Sequence, residues 1–189
     1  MLFDAIVFAL QACGLTPNCA KREFNSAQLR MQKIEQMIAT SRYGVHDISR
    51  VEYSPKELPR FNMPFELGLD KGCQVFGTKW QKDKSLLILD SKDHQYDLST
   101  SDLSGFDPKY HHNNPDEAIT CIRSWLAASP WTDGSKQLPG STWIIGHYHK
   151  FRDELPKIVK QKHLDFDDLQ FKELTEIIQE WLIVNPMLD

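Results

Sequence analysis

The chain has 189 residues, 41% of them hydrophobic and 25% charged, with a formal net charge of -4. This is the composition of a folded chain with room for one domain and an appendage, and it excludes a disordered one. The negative balance argues against general nucleic-acid binding, which needs a concentrated basic surface, and leaves only a local basic pocket open.

The four cysteines, Cys13, Cys19, Cys73 and Cys121, form no Cys-x-x-Cys pair. Neither a zinc knuckle nor a disulfide framework is expected, and a reducing cytoplasm fits. The apolar opening from Leu2 to Cys13 ends in Leu10-Gln11-Ala12-Cys13, which hints at a lipoprotein cleavage site. No basic stretch precedes it and Asp4 interrupts it, so an amphipathic helix is expected instead. No apolar run approaches membrane-spanning length, and no membrane partner is expected.

In chain order, Phe3, Ile6, Val7 and Leu10 repeat at helical spacing, and Gly14 is placed to end that helix. Leu15 to Ala20 reads as a short edge or irregular strand because of Pro17. Ser26 is the expected cap of a second helix carrying Leu29, Ile34, Met37 and Ile38 on one face, and Arg42 to Ser49 reads as a strand running into a loop. A polar loop from Tyr53 to Pro59 leads to a helix expected over Met63 to Gly72. Ser85 to Asp90 is the best buried-strand signal in the chain, an apolar run suited to a parallel sheet. Beyond it a short helix is expected over Asp97 to Leu103, and longer ones over Pro115 to Ala128, Trp143 to Val159 and Asp168 to Val184, with a turn-rich link from Gly134 to Pro139. Trp125, Trp143 and Trp181 are expected in the core or in oligomer contacts.

The stretch Pro59-Arg60-Phe61-Asn62-Met63-Pro64-Phe65-Glu66-Leu67-Gly68-Leu69 concentrates the functional interest. Asn62 is a good N-cap and Pro64 suits a first helical turn, so Glu66 is expected in that turn, held ionised by free amides and the helix dipole while Phe61, Phe65 and Leu69 desolvate it. A carboxylate pulled both ways is a candidate catalytic group; the plain alternative is an acidic residue decorating a helix start. Ligands of an open parallel sheet bind beyond the carboxyl ends of its strands. That rule gathers His46, Asp47, Ser49 and Arg50 after one strand, Asp90 after another, and Glu66 at the helix between them. Asn62, Tyr43 and Phe65 add hydrogen-bonding and stacking capacity, and His112 is a further candidate for the same pocket. The alternative for each strand-end aspartate is a turn or a cap. His111-His112 and His147-Tyr148-His149 show no convincing ligand spacing, and no metal is expected.

Arg42 to Arg50, followed by Phe61-Asn62-Met63-Pro64-Phe65-Glu66-Leu67-Gly68, resembles a bacterial group related to Toll/interleukin-1 receptor (TIR) domains and to nucleoside 2-deoxyribosyltransferases. The likeness to that group runs from about residue 2 to the last helix and includes Asp102, Gly105, Asp107 and His112; to the characterised enzymes it covers residues 41 to 72. It implies a flavodoxin-like α/β fold and a glutamate, here Glu66, acting as nucleophile on a glycosidic bond or supporting cleavage of NAD. Both enzyme families open with a strand, whereas this chain opens on a helix. Either that strand is missing before Met1 or another segment covers the edge.

The expectation is therefore an α/β, flavodoxin-like short parallel sheet with helices on both faces over residues 1–112, and a helical part over residues 113–189. The expected activity is that of a cytoplasmic N-glycosidase or ribosyl transferase acting on a nucleoside, nucleotide or NAD. Glu66 is catalytic, Asp47 assists at the ribose or in proton transfer, Arg50 or Arg42 meets a phosphate, and Tyr43 or Phe65 stacks on the base. No cofactor is required, NAD or a nucleotide being substrate, and a homo-oligomer is expected. The alternative is a non-catalytic nucleotide-binding or TIR-like interaction module.

Overall fold

The computed structural model describes residues 1–20, 29–50, 61–92, 105–129 and 137–186. Among them are α1 (Leu2–Ala12), α2 (Arg30–Thr40), β1 (Tyr43–Asp47), α3 (Asn62–Phe76), β2 (Ser85–Asp90), β3 (Lys109–Tyr110), α4 (Pro115–Ala128), α5 (Ser141–Gln161) and α6 (Phe171–Val184). Short 3-10 turns precede β2 at Gln81–Asp83 and α6 at Phe166–Asp168. The chain forms two compact units, Ser26–Glu117 and a second made of Met1–Asn25 with Ala118–Asp189. The first helix groups with the C-terminal helices and not with the sheet.

The α/β unit holds an open, parallel, three-stranded sheet in the order β1-β2-β3. All three strands follow one another without reversal, so the described strands contain no switch point of the kind that usually marks a nucleotide site. β1 and β2 pair from Tyr43 with Ser85 to Asp47 with Leu89, and β2 passes to β3 at Leu89 with Lys109 and Asp90 with Tyr110. Side chains alternate across the sheet, which turns Gly44, His46 and Ile48 toward α3. Ile48, Leu67 and Ile88 form a small buried cluster there, flanked by Met63, Phe106 and Tyr110.

The entry to β2 is tied to the end of α2 by polar groups. The Lys84 ammonium, wholly buried, donates to the carbonyls of Ile38 and Ser41 and pairs with Asp70 Oδ1 at 3.1 Å. Asp70 Oδ2 lies 3.0 Å from His46 Nε2, and Gln81 Nε2 donates to the Ala39 carbonyl at 2.9 Å. These bonds satisfy carbonyls that the end of a helix leaves open. A buried Asp–Lys–His network therefore lies between α3 and the sheet, where an apolar layer is the usual solution.

The helical unit is built on Phe8, fully buried and packed against Tyr148, Phe151 and Trp181 at ring separations of 5.5, 5.3 and 6.0 Å. Arg152 donates to Asp4 at 2.8 Å and Trp181 Nε1 to Glu154 at 2.7 Å. α1 ends as expected: Gly14 has φ 82°, its N–H reaches the Gln11 carbonyl and that of Leu15 the Leu10 carbonyl, a Schellman closure. Burial pushes the Cys13 thiol up to about 11, which keeps it protonated and inert.

Several expectations are corrected. Leu15 to Ala20 forms no strand; Pro17 lacks the N–H that a ladder needs. α3 begins at Asn62 with Phe61 as its cap residue, and it runs through Gly72 to Phe76. Leu29 is 68% and Trp143 66% exposed, so neither belongs to the core. The short β3 appears where no strand was expected. The Ser26 cap, the 53–59 loop and the 97–103 helix lie outside the described residues. No described helix is long and apolar enough to cross a membrane.

Candidate functional site

Two groups of polar side chains lie toward the carboxyl end of the sheet. The first is a hollow of about 280 Å³ between the N-terminal turns of α2 and α3, lined by Arg30, Met31, Ile34, Asn62, Phe65 and Glu66. α2 runs toward the amino end of β1 and α3 starts from its carboxyl side, so the two helix starts come together. Glu66 is half-buried and Phe65 is 56% exposed. Because α3 starts at Asn62, Glu66 sits one full turn inside the helix, past the unpaired amides that were expected to stabilise it. Arg30, a residue that sequence reasoning missed, lines the same hollow.

The second group stands on the strand ends. Asp47 closes β1, and its Oδ1 accepts the Ser49 N–H at 3.0 Å and lies 3.5 Å from Nε2 of the fully buried His111. The Asn113 N–H points at His111 Nδ1 at 3.0 Å, so that nitrogen is the acceptor and Nε2 carries the proton facing Asp47. Burial works against the charge on Asp47. The bonds from His111 and Ser49 outweigh it and hold the carboxyl below its ordinary range. Asp90, closing β2, is fully buried; its carboxyl accepts the Ser91 N–H at 2.6 Å on Oδ1 and a backbone bond from Lys92, and no hydrogen bond to Oδ2 is seen among the described residues. Its carboxyl is raised, first by burial, with the Asp47 charge adding to the effect. The chain then leaves β3 through His112 and Asn113, both left-handed at φ 47° and 56°. Asn tolerates that conformation better than His does.

The other expected site residues lie elsewhere. Tyr43 is at the amino end of β1, about 13 Å of strand away from Asp47 at the usual rise per residue. His46 turns to Asp70 on the α3 side, because adjacent strand residues face opposite ways. Arg50 is exposed in the turn after β1, Ser49 contributes its backbone N–H, and His112 pairs with Glu117 at the surface. Of the three carboxylates expected at one crevice, Glu66 lines the hollow, and Asp47 and Asp90 are not among its described lining residues. Glu66, Asn62 and Phe65 share one place, and Asp47, Ser49 and Asp90 another.

The carboxylate pair makes a testable statement about pH. Folded Asp90 keeps a proton that the unfolded chain has already released, so stability falls as pH rises from the ordinary carboxylate range through the raised folded value, and the penalty is complete above it. Asp47 acts in the opposite sense, and its contribution is lost as pH falls through its depressed folded value. Asp90→Asn retains the acceptor for Ser91 and removes a buried charge. It should raise unfolding free energy at pH 7 by about 1 kcal/mol and change it little at pH 3, read by urea denaturation at the two pH values. A loss of stability at pH 7 would contradict this account.

Among the described residues no three His, Cys, Asp or Glu side chains converge as metal ligands would. The class that fold and sites define is an α/β protein with a short, open parallel sheet. No protein-family model matches the chain, and no curated protein or solved structure matches it either.

Proposed function

We propose that the α/β unit, in a flavodoxin-like arrangement, binds a nucleoside, a nucleotide or NAD and cleaves or transfers its N-glycosidic bond, with Glu66 as the nucleophile. The observation that carries this reading is the grouping of Arg30, Asn62, Phe65 and Glu66 around one hollow. These supply a guanidinium for phosphate, an amide for ribose hydroxyls, an aromatic face for a base and a carboxylate for the sugar's anomeric carbon. The Glu66 carboxylate forms a C–O bond to C1′ as the C–N bond breaks and the base leaves with the electron pair. Water then attacks C1′ and breaks its bond to Glu66, releasing ribose and a proton, or a second base takes the ribosyl group; a purine or pyrimidine that leaves as its anion takes a proton from solvent, and nicotinamide leaves neutral and takes none. The arrangement does not use Asp47, which is not among the residues lining the hollow.

One observation favours a second reading. Glu66 is the sole acidic group among the described lining residues, and none of the others can act as a general acid for the departing base. A site of this kind also suits a module that binds a nucleotide without turning it over. Incubating the full chain with a panel of nucleosides, nucleotides and NAD, and following free base by chromatography, separates the two. Base release that falls at least about a hundredfold in Glu66→Gln is the expected result. Nucleotide binding with no base release would favour the binding module, and base release unchanged in Glu66→Gln would remove the role given to Glu66.

A further inference from the structure

On the side that faces the sheet, helix α3 buries both the apolar Leu67 and the charged Asp70, and the side that faces outward is apolar. Its inner face carries Asp70, bonded to Lys84 and His46. Its outer face, at the 3.6-residue spacing, reads Phe61, Phe65, Gly68, Gly72, Val75 and Phe76, without a charge over four turns. Phe61 is 61%, Phe65 56%, Val75 48% and Phe76 87% exposed. The outer side of a surface helix is ordinarily polar. The two glycines sit in the middle of the stripe, and a Cβ at either would meet nothing within 4 Å, so the backbone there is open to close approach.

From this face we infer that the chain forms a two-fold dimer through antiparallel α3 helices. The stripe is its own complement. A two-fold axis over the turn of Asp70 sets Gly68 against Gly72 and Phe65 against Val75, and brings Phe61 to the end that carries Phe76. The glycines admit the partner backbone and the large side chains close around it. The three phenylalanines expose about two rings' worth of surface, roughly 400 Å² per copy, or about 800 Å² for two copies. With Val75 and the surrounding rim this passes the roughly 1,000 Å² that a specific interface requires. A lipid surface is a poorer match, because the outward-facing stripe of α3 carries no basic residue and Lys71 beside it is offset by Glu66, so there is no net attraction to anionic headgroups. The inference shares Phe65 with the hollow beside Glu66 but does not rest on the chemistry proposed for that residue.

The test is the mass of the full chain by light scattering across a dilution series, for wild type, Phe76→Glu and the double variant Gly68→Ala/Gly72→Ala. The expected result is a dimer for wild type and at least about tenfold weaker association in both variants, with unchanged circular dichroism. The alanine variant is the more telling, since replacing helical glycine stabilises the fold of each copy while obstructing the interface. A monomeric wild type at every concentration would overturn the proposal, as would a dimer that survives in both variants. Wild-type binding to phosphatidylcholine/phosphatidylglycerol vesicles that is lost in Phe76→Glu, with no dimer, would overturn it in favour of a lipid surface.

Discussion

Asp70→Ala should lower the unfolding free energy of the α/β unit by about 3–5 kcal/mol, the usual loss when one partner of a buried ion pair is removed. The ammonium of Lys84 is wholly buried. With Asp70 gone it keeps its bonds to the Ile38 and Ser41 carbonyls but has no counter-charge, and His46 Nε2 loses its acceptor. The double variant Asp70→Ala/Lys84→Met should recover part of the loss, since no lone buried charge remains. Recovery should be incomplete, because the α2 carbonyls then lack their donor. Urea denaturation followed by circular dichroism reads all three chains. A single-variant loss below about 1 kcal/mol, the range of an exposed pair, would mean that this network is hydrated in solution.

Gly44→Ala should be nearly as damaging, at about 1–3 kcal/mol, for a related reason. A Cβ at residue 44 would overlap Asp70 Oδ2, lie 2.8 Å from Leu86 Cδ2 and 3.1 Å from His46 Nε2. Asp70 cannot swing aside without giving up Lys84 or His46, so the overlap has no easy relief. The effect belongs to the contact and not to backbone freedom, because Gly44 is an ordinary strand residue without positive φ. Gly44→Ala combined with Asp70→Ala should therefore cost clearly less than the two losses added together. Strict additivity in thermal or urea unfolding would place the strain elsewhere.

These two residues show where sequence reasoning reached and where it stopped. β1, β2 and α4 were legible because each carries a local pattern: alternation ending in Asp47, an apolar run ending in Asp90, and the inward series Ala118, Ile119, Ile122 and Leu126. β3 was not legible, because its two residues are too few for any periodicity and it exists through pairing with Leu89 and Asp90. Glu66, Asn62 and Phe65 could be singled out from one short stretch, whereas Arg30 enters the hollow from a different helix. Asp70 and Lys84 gave no local sign of their partnership, and the glycine that makes room for it is on a third element. His46 and Tyr43 were misplaced by treating a whole strand as if it lay at its carboxyl end. His111 carries no local sign of its role, because its partner Asp47 is remote in sequence and no spacing rule joins them.

The account turns on whether the hollow beside Glu66 receives a ribosyl ligand, and a crystal structure of the chain soaked with a nucleotide tests this most directly. The expected density places the ribose within hydrogen-bond reach, about 2.6–3.2 Å, of the Glu66 carboxylate, with the phosphate on Arg30 and the base against Phe65. Density for the nucleotide over Asp47 and Asp90, with the Glu66 hollow left to water, would contradict it.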